Sequence, residues 1–312
     1  MKSMKLISIV TPCFNEEANV EILHTQVVEE MSKMPEFNFE HIYIDNASTD
    51  QTIPILRKLA ANDKRVKVIV NSRNFGHIRS PYYGLLQAQG DAVIGMASDL
   101  QDPPSLIKEF VDKWTEGYKV VMGVKTRSDE SKFMFMLRTF YYKSLANLSD
   151  VQLVENFTGF GCYDQQVIEI LRQMNDPYPY FRGLIADIGF PTATIEFTQP
   201  KRKHGVTKNN FYTLFDMAML GFTNNTKVPL RLATMFGFLT AIISFLIGLF
   251  YLVYKLVDWQ NFQLGSAPIV IGLFFFGAIQ LFFLGIVGEY IGAIYTQVLH
   301  RPLVIEKERI NF

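Results

Sequence analysis

Asp99-Leu-Gln101-Asp102-Pro-Pro104 gathers three oxygen-bearing side chains directly after the apolar run 92–96. Carboxylates and an amide carbonyl this close together suit a hard cation such as Mg2+ or Mn2+, of the kind that neutralises a diphosphate. A turn alone explains an aspartate followed by two prolines, because proline is preorganised for the first turn of a helix. It does not explain clustered carboxylates at the end of an apolar strand. A second cluster, Asp45-Asn-Ala-Ser48-Thr49-Asp50, follows the run 40–44. Ser48 and Asp50 read as helix caps. Asp45 sits at the strand tip, where a carboxylate can accept a hydrogen bond from a base or a ribose.

Side chains placed in this way need strand ends to hold them. Short apolar runs at 6–10, 40–44, 66–70 and 92–96 alternate with helix-length segments at 16–34, 52–62 and 80–89. That alternation predicts an α/β domain built from parallel βαβ units. Ligands of such sheets collect at the carboxyl ends of the strands. Segments 11–17, 45–50, 71–77 and 97–104 are therefore the ones expected to carry chemistry. No G-x-G-x-x-G follows the first run and no G-x-x-x-x-G-K-[ST] occurs, so the dinucleotide and P-loop readings lose support.

Hydrophobic residues make up 49% of the 312 positions and charged residues 19%, against about a quarter charged in soluble domains. The excess lies after Val228. Segments 232–254 and 262–288 contain no charge, and each exceeds the roughly 20 residues that cross a bilayer. Residues 255–261 leave room only for a tight turn, so both ends of the pair return to one side. Arg231, Arg301, Lys307 and Arg309 flank that side and Lys255 alone marks the other, which predicts cytosolic termini. Tyr251, Tyr254, Trp259 and Tyr290 fall where an aromatic belt is expected, and Glu289 is expected to end the second span as a solvated carboxylate. Segment 211–222 reads either as a helix lying on the membrane or as an amphipathic helix packed on the soluble domain. Zero net charge gives no electrostatic case for nucleic acid. Two cysteines, Cys13 and Cys162, form no disulfide framework and fit a reducing compartment. The first apolar run is too short for a signal peptide.

Four motifs in order, Thr11-Pro-Cys-Phe-Asn15-Glu16-Glu17, Asp45-Asn-Ala-Ser-Thr-Asp50, Asn74-Phe-Gly76 and Asp99-Leu-Gln-Asp-Pro-Pro104, resemble the inverting GT-A glycosyltransferases of family 2. With two C-terminal spans the chain is similar to the polyprenyl-phosphate branch of that family. Arg202-Lys-His-Gly205-Val-Thr207-Lys208 is similar to the branch's R-x-x-G-x-S-K segment. The resemblance implies a nucleotide-sugar donor, by analogy a UDP-sugar, and a polyprenyl phosphate acceptor met at the lipid bilayer. It implies that Pro12, Asn15 and Glu17 shape the nucleotide pocket and that Asp45 holds the base. Asp99 and Gln101, with Asp102 in reserve, would hold Mg2+ or Mn2+ on the diphosphate. Arg202 and Lys208 would close over phosphates, and Arg127 and Arg138 would receive the acceptor phosphate.

Two departures from the pattern stand out. Ala97 occupies the place of the first aspartate in the usual D-x-D, and Gly159 occupies the place of an aspartate proposed as a base. The nearest carboxylate to Gly159 in the sequence is Glu155, which joins Asp99, Arg127 and Arg138 as a candidate catalytic residue. A phosphate monoester has a second pKa near 6, so the acceptor needs little help to become a nucleophile. The expected organisation is a GT-A domain over 1–208, an interfacial helix and linker over 209–229, two membrane helices over 230–300 and a cytosolic tail over 301–312. The expected setting is the bacterial cytoplasmic membrane, with self-association into a homo-oligomer left open. A polysaccharide synthase is disfavoured by the lack of a Q-x-x-R-W segment and by having only two spans. A binding subunit without turnover is the other alternative, motivated by Ala97 and Gly159.

Overall fold

A computed structural model describes residues 4–127, 154–200, 219–221, 223, 226–257 and 266–312. Strands β1 (Lys5–Cys13), β2 (Phe37–Asp45), β3 (Val66–Asn71) and β4 (Ala92–Gly95) are parallel, in the spatial order β3-β2-β1-β4. Helices α1 (Val20–Ser32), α2 (Thr52–Asn62) and α3 (Gly76–Gln87) make the crossovers. Ile7, Ile9, Ile42, Ile44, Val68 and Ile94 are fully buried in these strands. Burial on both faces is why the strands read as continuous apolar runs rather than alternating ones.

Beyond β4, the helix α4 (Ile107–Thr115) leads to β5 (Val120–Arg127) and then β6 (Phe157–Asp164). Strand β6 runs antiparallel to β4, and β5 antiparallel to β6; β7 (Thr192–Thr198) adds parallel to β5. Gly161 of β6 faces β5 so closely that a Cβ there would lie 2.3 Å from the Val121 carbonyl oxygen. Helices α5 (Gln165–Met174) and α6 (Phe181–Ile188) pack on this half, with Tyr82 of α3 donating to the Leu171 carbonyl at 3.0 Å.

Two long helices follow, α7 (Val228–Val257) and α8 (Ser266–Val298). None of α7 is buried inside the protein, and Phe238, Phe245, Phe274 and Leu281 are about 70% exposed. Apolar side chains bare on every face of so long a helix require a hydrocarbon surrounding. The two helices face each other through the stacked rings of Phe236 and Phe283, 6.5 Å apart. The protein is membrane-associated through this pair.

The second helix does not stop at Glu289. Ile291, Ala293 and Ile294 continue it to Val298, and the first breakers are His300, with φ +45°, and Pro302. Tyr290 is not simply a belt residue either, because its hydroxyl donates to the Thr226 carbonyl at 2.6 Å. After α8 the chain returns to the sheet. Residues 306–310 form β8 (Glu306–Ile310), antiparallel to β3 at the sheet's far edge. The turn expected at 255–261 begins later than its sequence suggests, because α7 stays helical through Val257; the rest of that turn and most of the 211–222 helix lie outside the described residues, and Met219–Gly221 is helical.

Candidate functional site

The strand order reverses direction at β1, whose neighbours are β2 on one side and β4 on the other. A crevice opens at that switch point, beyond the carboxyl ends of β1 and β4, as the topology demands. It holds about 260 Å3 and is lined by Pro12 from β1, Met96, Ala97 and Asp102 after β4, His77 from α3, and Gly159 from β6. Tyr180 and Arg182 close it on the α6 side, and Leu220 closes it from the segment before the membrane pair.

Asp102 is buried and turned back toward its own loop, where Oδ2 accepts the Ala97 amide at 2.9 Å. Burial pushes its carboxyl up to about 6, with the Ala97 amide and the Lys125 charge opposing and Asp99 adding to the rise. The influence of Asp99 on Asp102 places the two carboxylates in one electrostatic neighbourhood. Asp99 is 9% exposed, and its Oδ1 accepts the Gln101 amide at 3.2 Å. Leu100 between them has φ +60°, a left-handed turn that folds the segment onto itself. The Gln101 side-chain amide lies 3.5 Å from the Pro200 carbonyl, so the chain approaches this cluster two residues before Arg202. Among the described residues no three His, Cys, Asp or Glu side chains gather as a closed metal cage. Two carboxylates and an amide oxygen fit an open site, of the kind that takes its remaining oxygens from a substrate.

The first two strand-end loops are fastened to each other. Asn15, at φ +57°, donates its amide to Ser48 Oγ and accepts the Thr49 amide on Oδ1, both at 2.8 Å. Glu17 Oε2 accepts the Gln51 amide at 2.8 Å, and the Glu16 amide donates to Thr52 Oγ1 at 2.8 Å. Asp45 is fully buried; its Oδ1 accepts the Ser48 amide at 2.8 Å and its Oδ2 the Ser48 hydroxyl. Burial raises its pKa, opposed by these bonds. Asn15 and Glu17 thus latch the two loops together while Asp45 braces its own loop, and only Pro12 of that expected set lines the crevice.

A third loop is tied in by Asn46, which sequence reading passed over as part of a turn. Its Nδ2 donates to Asn74 Oδ1 at 2.9 Å, and its Oδ1 accepts the Phe75 amide at 2.9 Å and Asn71 Nδ2 at 3.2 Å. This network sets Asn74-Phe-Gly76 so that His77 reaches the crevice. Lys125 is a second omission. It lies two residues before Arg127 on β5, and only the fold brings its charge to Asp102.

Gly159 has φ +103°, and its carbonyl accepts the Tyr163 hydroxyl at 2.8 Å. A Cβ there would meet nothing closer than Phe181 at 3.6 Å, so backbone conformation rather than space favours glycine. Glu155 is exposed and is not among the crevice-lining residues. Arg127 ends β5, where its backbone pairs with Thr198; its side chain, with Arg138, Arg202 and Lys208, lies outside the described residues.

A twisted, mostly parallel sheet with a carboxylate-bearing crevice at its switch point defines a GT-A transferase domain, here joined to a membrane hairpin. The family model for glycosyl transferase family 2 matches residues 8–171, and that for the GtrB C-terminal hairpin matches 228–294. The chain belongs to glycosyl transferase family 2, and it is a glycosyltransferase. It is 36% identical to the uncharacterized glycosyltransferase YkcC of Bacillus subtilis, over 96% of this chain and 92% of that one. It is 32% identical to the bactoprenol glucosyl transferase of Shigella phage SfV, over 96% of this chain and 98% of that one. Among solved structures it is similar to glucosyl-3-phosphoglycerate synthase of Mycobacterium tuberculosis, at 19% identity and a TM-score of 0.48, covering 71% of this chain and 79% of that one.

Proposed function

We propose that the protein moves a sugar from a nucleotide diphosphate donor, by analogy UDP-linked, to a polyprenyl phosphate at the cytosolic face of a bacterial cytoplasmic membrane. One observation carries this reading: the crevice shares lining residues with two hollows against the membrane helix α8. Leu220 lines both the crevice and a second hollow against Gly288, Gly292 and Ala293 of α8. Tyr180 lines both the crevice and a third hollow against Tyr290 and Ile294. A water-soluble acceptor needs no such path, whereas a phosphate on a long hydrocarbon tail is available only at the interface. The near full-length similarity to the phage enzyme, whose name gives bactoprenol, supports the same acceptor class.

The reaction is displacement at the anomeric carbon by a phosphate oxygen, with inversion and departure of the nucleoside diphosphate. Asp99, Gln101 and Asp102 would hold Mg2+ or Mn2+, which supplies charge neutralisation to the leaving diphosphate. Pro12 and His77 border the donor's place in the crevice. Arg127 and Arg138 receive the acceptor phosphate, while Arg202 and Lys208 close over the donor phosphates. The acceptor is largely dianionic at neutral pH, so positioning and electrostatics supply most of the rate. Cytosolic placement of the domain rests on the basic residues flanking the hairpin.

The test is transfer by the purified full-length protein from a panel of labelled nucleotide-sugars to undecaprenyl phosphate. A labelled, lipid-extractable product is expected with one or few donors. Lack of product with every donor, from a folded protein, would leave the reading as a binding subunit instead.

A further inference from the structure

Where α8 leaves the hairpin, Arg301 comes up beside two arginines of the β3–α3 segment, Arg73 and Arg79. Arg301 follows the helix by three residues and is exposed. The next residue, Pro302, offers its carbonyl to Nη2 of Arg79 on α3. Arg79 in turn shares the ring of Phe75 with Arg73; their guanidinium carbons lie 5.6 and 4.0 Å from its centroid. None of the three forms an ion pair with a carboxylate among the described residues, while Arg57, Arg65 and Arg309 each do. Arg79 Nε is buried with no acceptor, so the protein leaves this guanidinium partly unsatisfied.

Like charges brought together without a counter-charge cost free energy, unless an anion completes the set. Arg79 feels its neighbours: burial first and then Arg73 lower its pKa, Tyr178 opposes the shift, and Arg301 adds to the lowering. Guanidinium forks match phosphate oxygens in a bidentate manner. The place matters as much as the charge, because Ile294 and Val298 in the last turns of α8 are 61% and 67% exposed, an apolar surface that keeps this end of the helix at the membrane boundary next to Arg301.

We propose that Arg73, Arg79 and Arg301 form a binding site for a phosphate group at the membrane surface, filled by the headgroup of an anionic phospholipid. The site is separate from the crevice, which none of the three lines. It joins three things: the end of the membrane hairpin, helix α3, and the loop that Asn46 holds beside the donor's place. A headgroup bound there would fasten the catalytic domain to the bilayer at the edge from which α3 carries His77 inward.

The experiment is native mass spectrometry of the full-length protein in detergent, titrated with phosphatidylglycerol or with phosphatidylcholine. Retention of phosphatidylglycerol over phosphatidylcholine is expected for the unaltered chain. Removing one cation from a diffuse basic surface weakens headgroup binding by roughly fivefold. Removing one from a hydrogen-bonded phosphate site weakens it by more than roughly tenfold. Arg79→Gln and Arg301→Gln should each fall in the second class, and Lys227→Gln, an exposed cation at the start of α7, in the first. Arg301 is exposed, so its variant keeps the fold even if Arg79→Gln does not. Inorganic phosphate that displaces the lipid would make the recognised group phosphate itself; failure to displace it would restrict the site to the membrane-held headgroup, and either supports the site. Binding by Arg301→Gln within fivefold of the unaltered chain, or an equal loss in Lys227→Gln, overturns the proposal.

Discussion

The hydroxyl of Tyr83 on α3 donates to Glu306 Oε1 on β8 at 2.8 Å, across 223 positions of chain. Between the two residues the chain leaves the domain, runs the length of the membrane pair and comes back. Around that bond, Arg309 donates to Gln87 at 2.8 Å, Arg57 pairs with Glu308, and Asn311 reaches the carbonyls of Ala60 and Val66. The chain beyond the hairpin is thereby fastened back onto the domain, and the edge of β3 is covered by the chain's own tail. Stopping the chain after Val304 should bare the Val68–Val70 edge and promote association between sheets. Light scattering on heating should rise earlier than in the full chain. Glu306→Ala alone should cost about 1 kcal/mol of stability, read by thermal unfolding in detergent, while Lys307→Ala should cost nothing measurable.

A second prediction concerns the carboxylate cluster. Asp99→Ala, or chelation of divalent cations, should remove nearly all transfer and leave the helical content intact. Restoration by added Mg2+ or Mn2+ should follow chelation but not the substitution. Full activity in Asp99→Ala would remove the metal from these residues.

Much of this was legible because buried parallel strands announce themselves as apolar runs, and the carboxylates follow the last of them. The rest was hidden for definite reasons. Strand β6 carries Gly159 and Gly161 in its middle, which breaks the apolar signal that marks β1 to β4. Strand β8 reads Glu-Lys-Glu-Arg-Ile, the charged composition of a protected edge, and looks like a solvated tail. Asp45 read as an open strand-tip carboxylate, yet Ser48 three residues on is placed to take both its oxygens. Lys125 and Asn46 act through partners far away in sequence, and no local pattern points to them.

Orientation can be read independently of activity. A membrane-impermeant thiol reagent applied from outside should label a cysteine at Asn261 and not one at Asn311. Because Asn311 is held against Ala60 of α2 and Val66 of β3, the same experiment fixes the side of the whole domain. Labelling at Asn311 alone would turn the hairpin over.

Stability should fall in mild acid through a buried histidine pair. His41 is fully buried, 3.3 Å from His24 and 3.0 Å from Thr11 Oγ1. Burial, and then His24, hold it well below the ordinary imidazole value, against a small opposing pull from Asp63. The unfolded chain takes up a proton here below about pH 6.5 and the folded chain does not. The neutral form's contribution is therefore complete above that pH and declines as the pH falls, by up to roughly 1.4 kcal/mol per unit. His41→Gln should flatten the pH dependence of unfolding between about pH 6.5 and 5. An unchanged slope would assign the acid sensitivity to other groups.

The last prediction is that the acceptor is engaged by cations and needs no carboxylate base. Gly159 sits at φ +103°, where an aspartate would be strained, and Glu155 is exposed and does not line the crevice. Gly159→Asp should therefore destabilise the domain by about 1–3 kcal/mol without raising the rate. Glu155→Gln should cost little. Rate should climb with ionisation of the acceptor phosphate and level off above about pH 6–7. Arg127→Ala and Arg138→Ala should each raise the KM for the lipid by roughly ten- to a hundredfold, the worth of a charge-assisted contact, with the donor KM little changed. If Glu155→Gln is inactive while both arginine variants transfer normally, the base has moved along the chain, and β6 must shift to bring that carboxylate to the crevice.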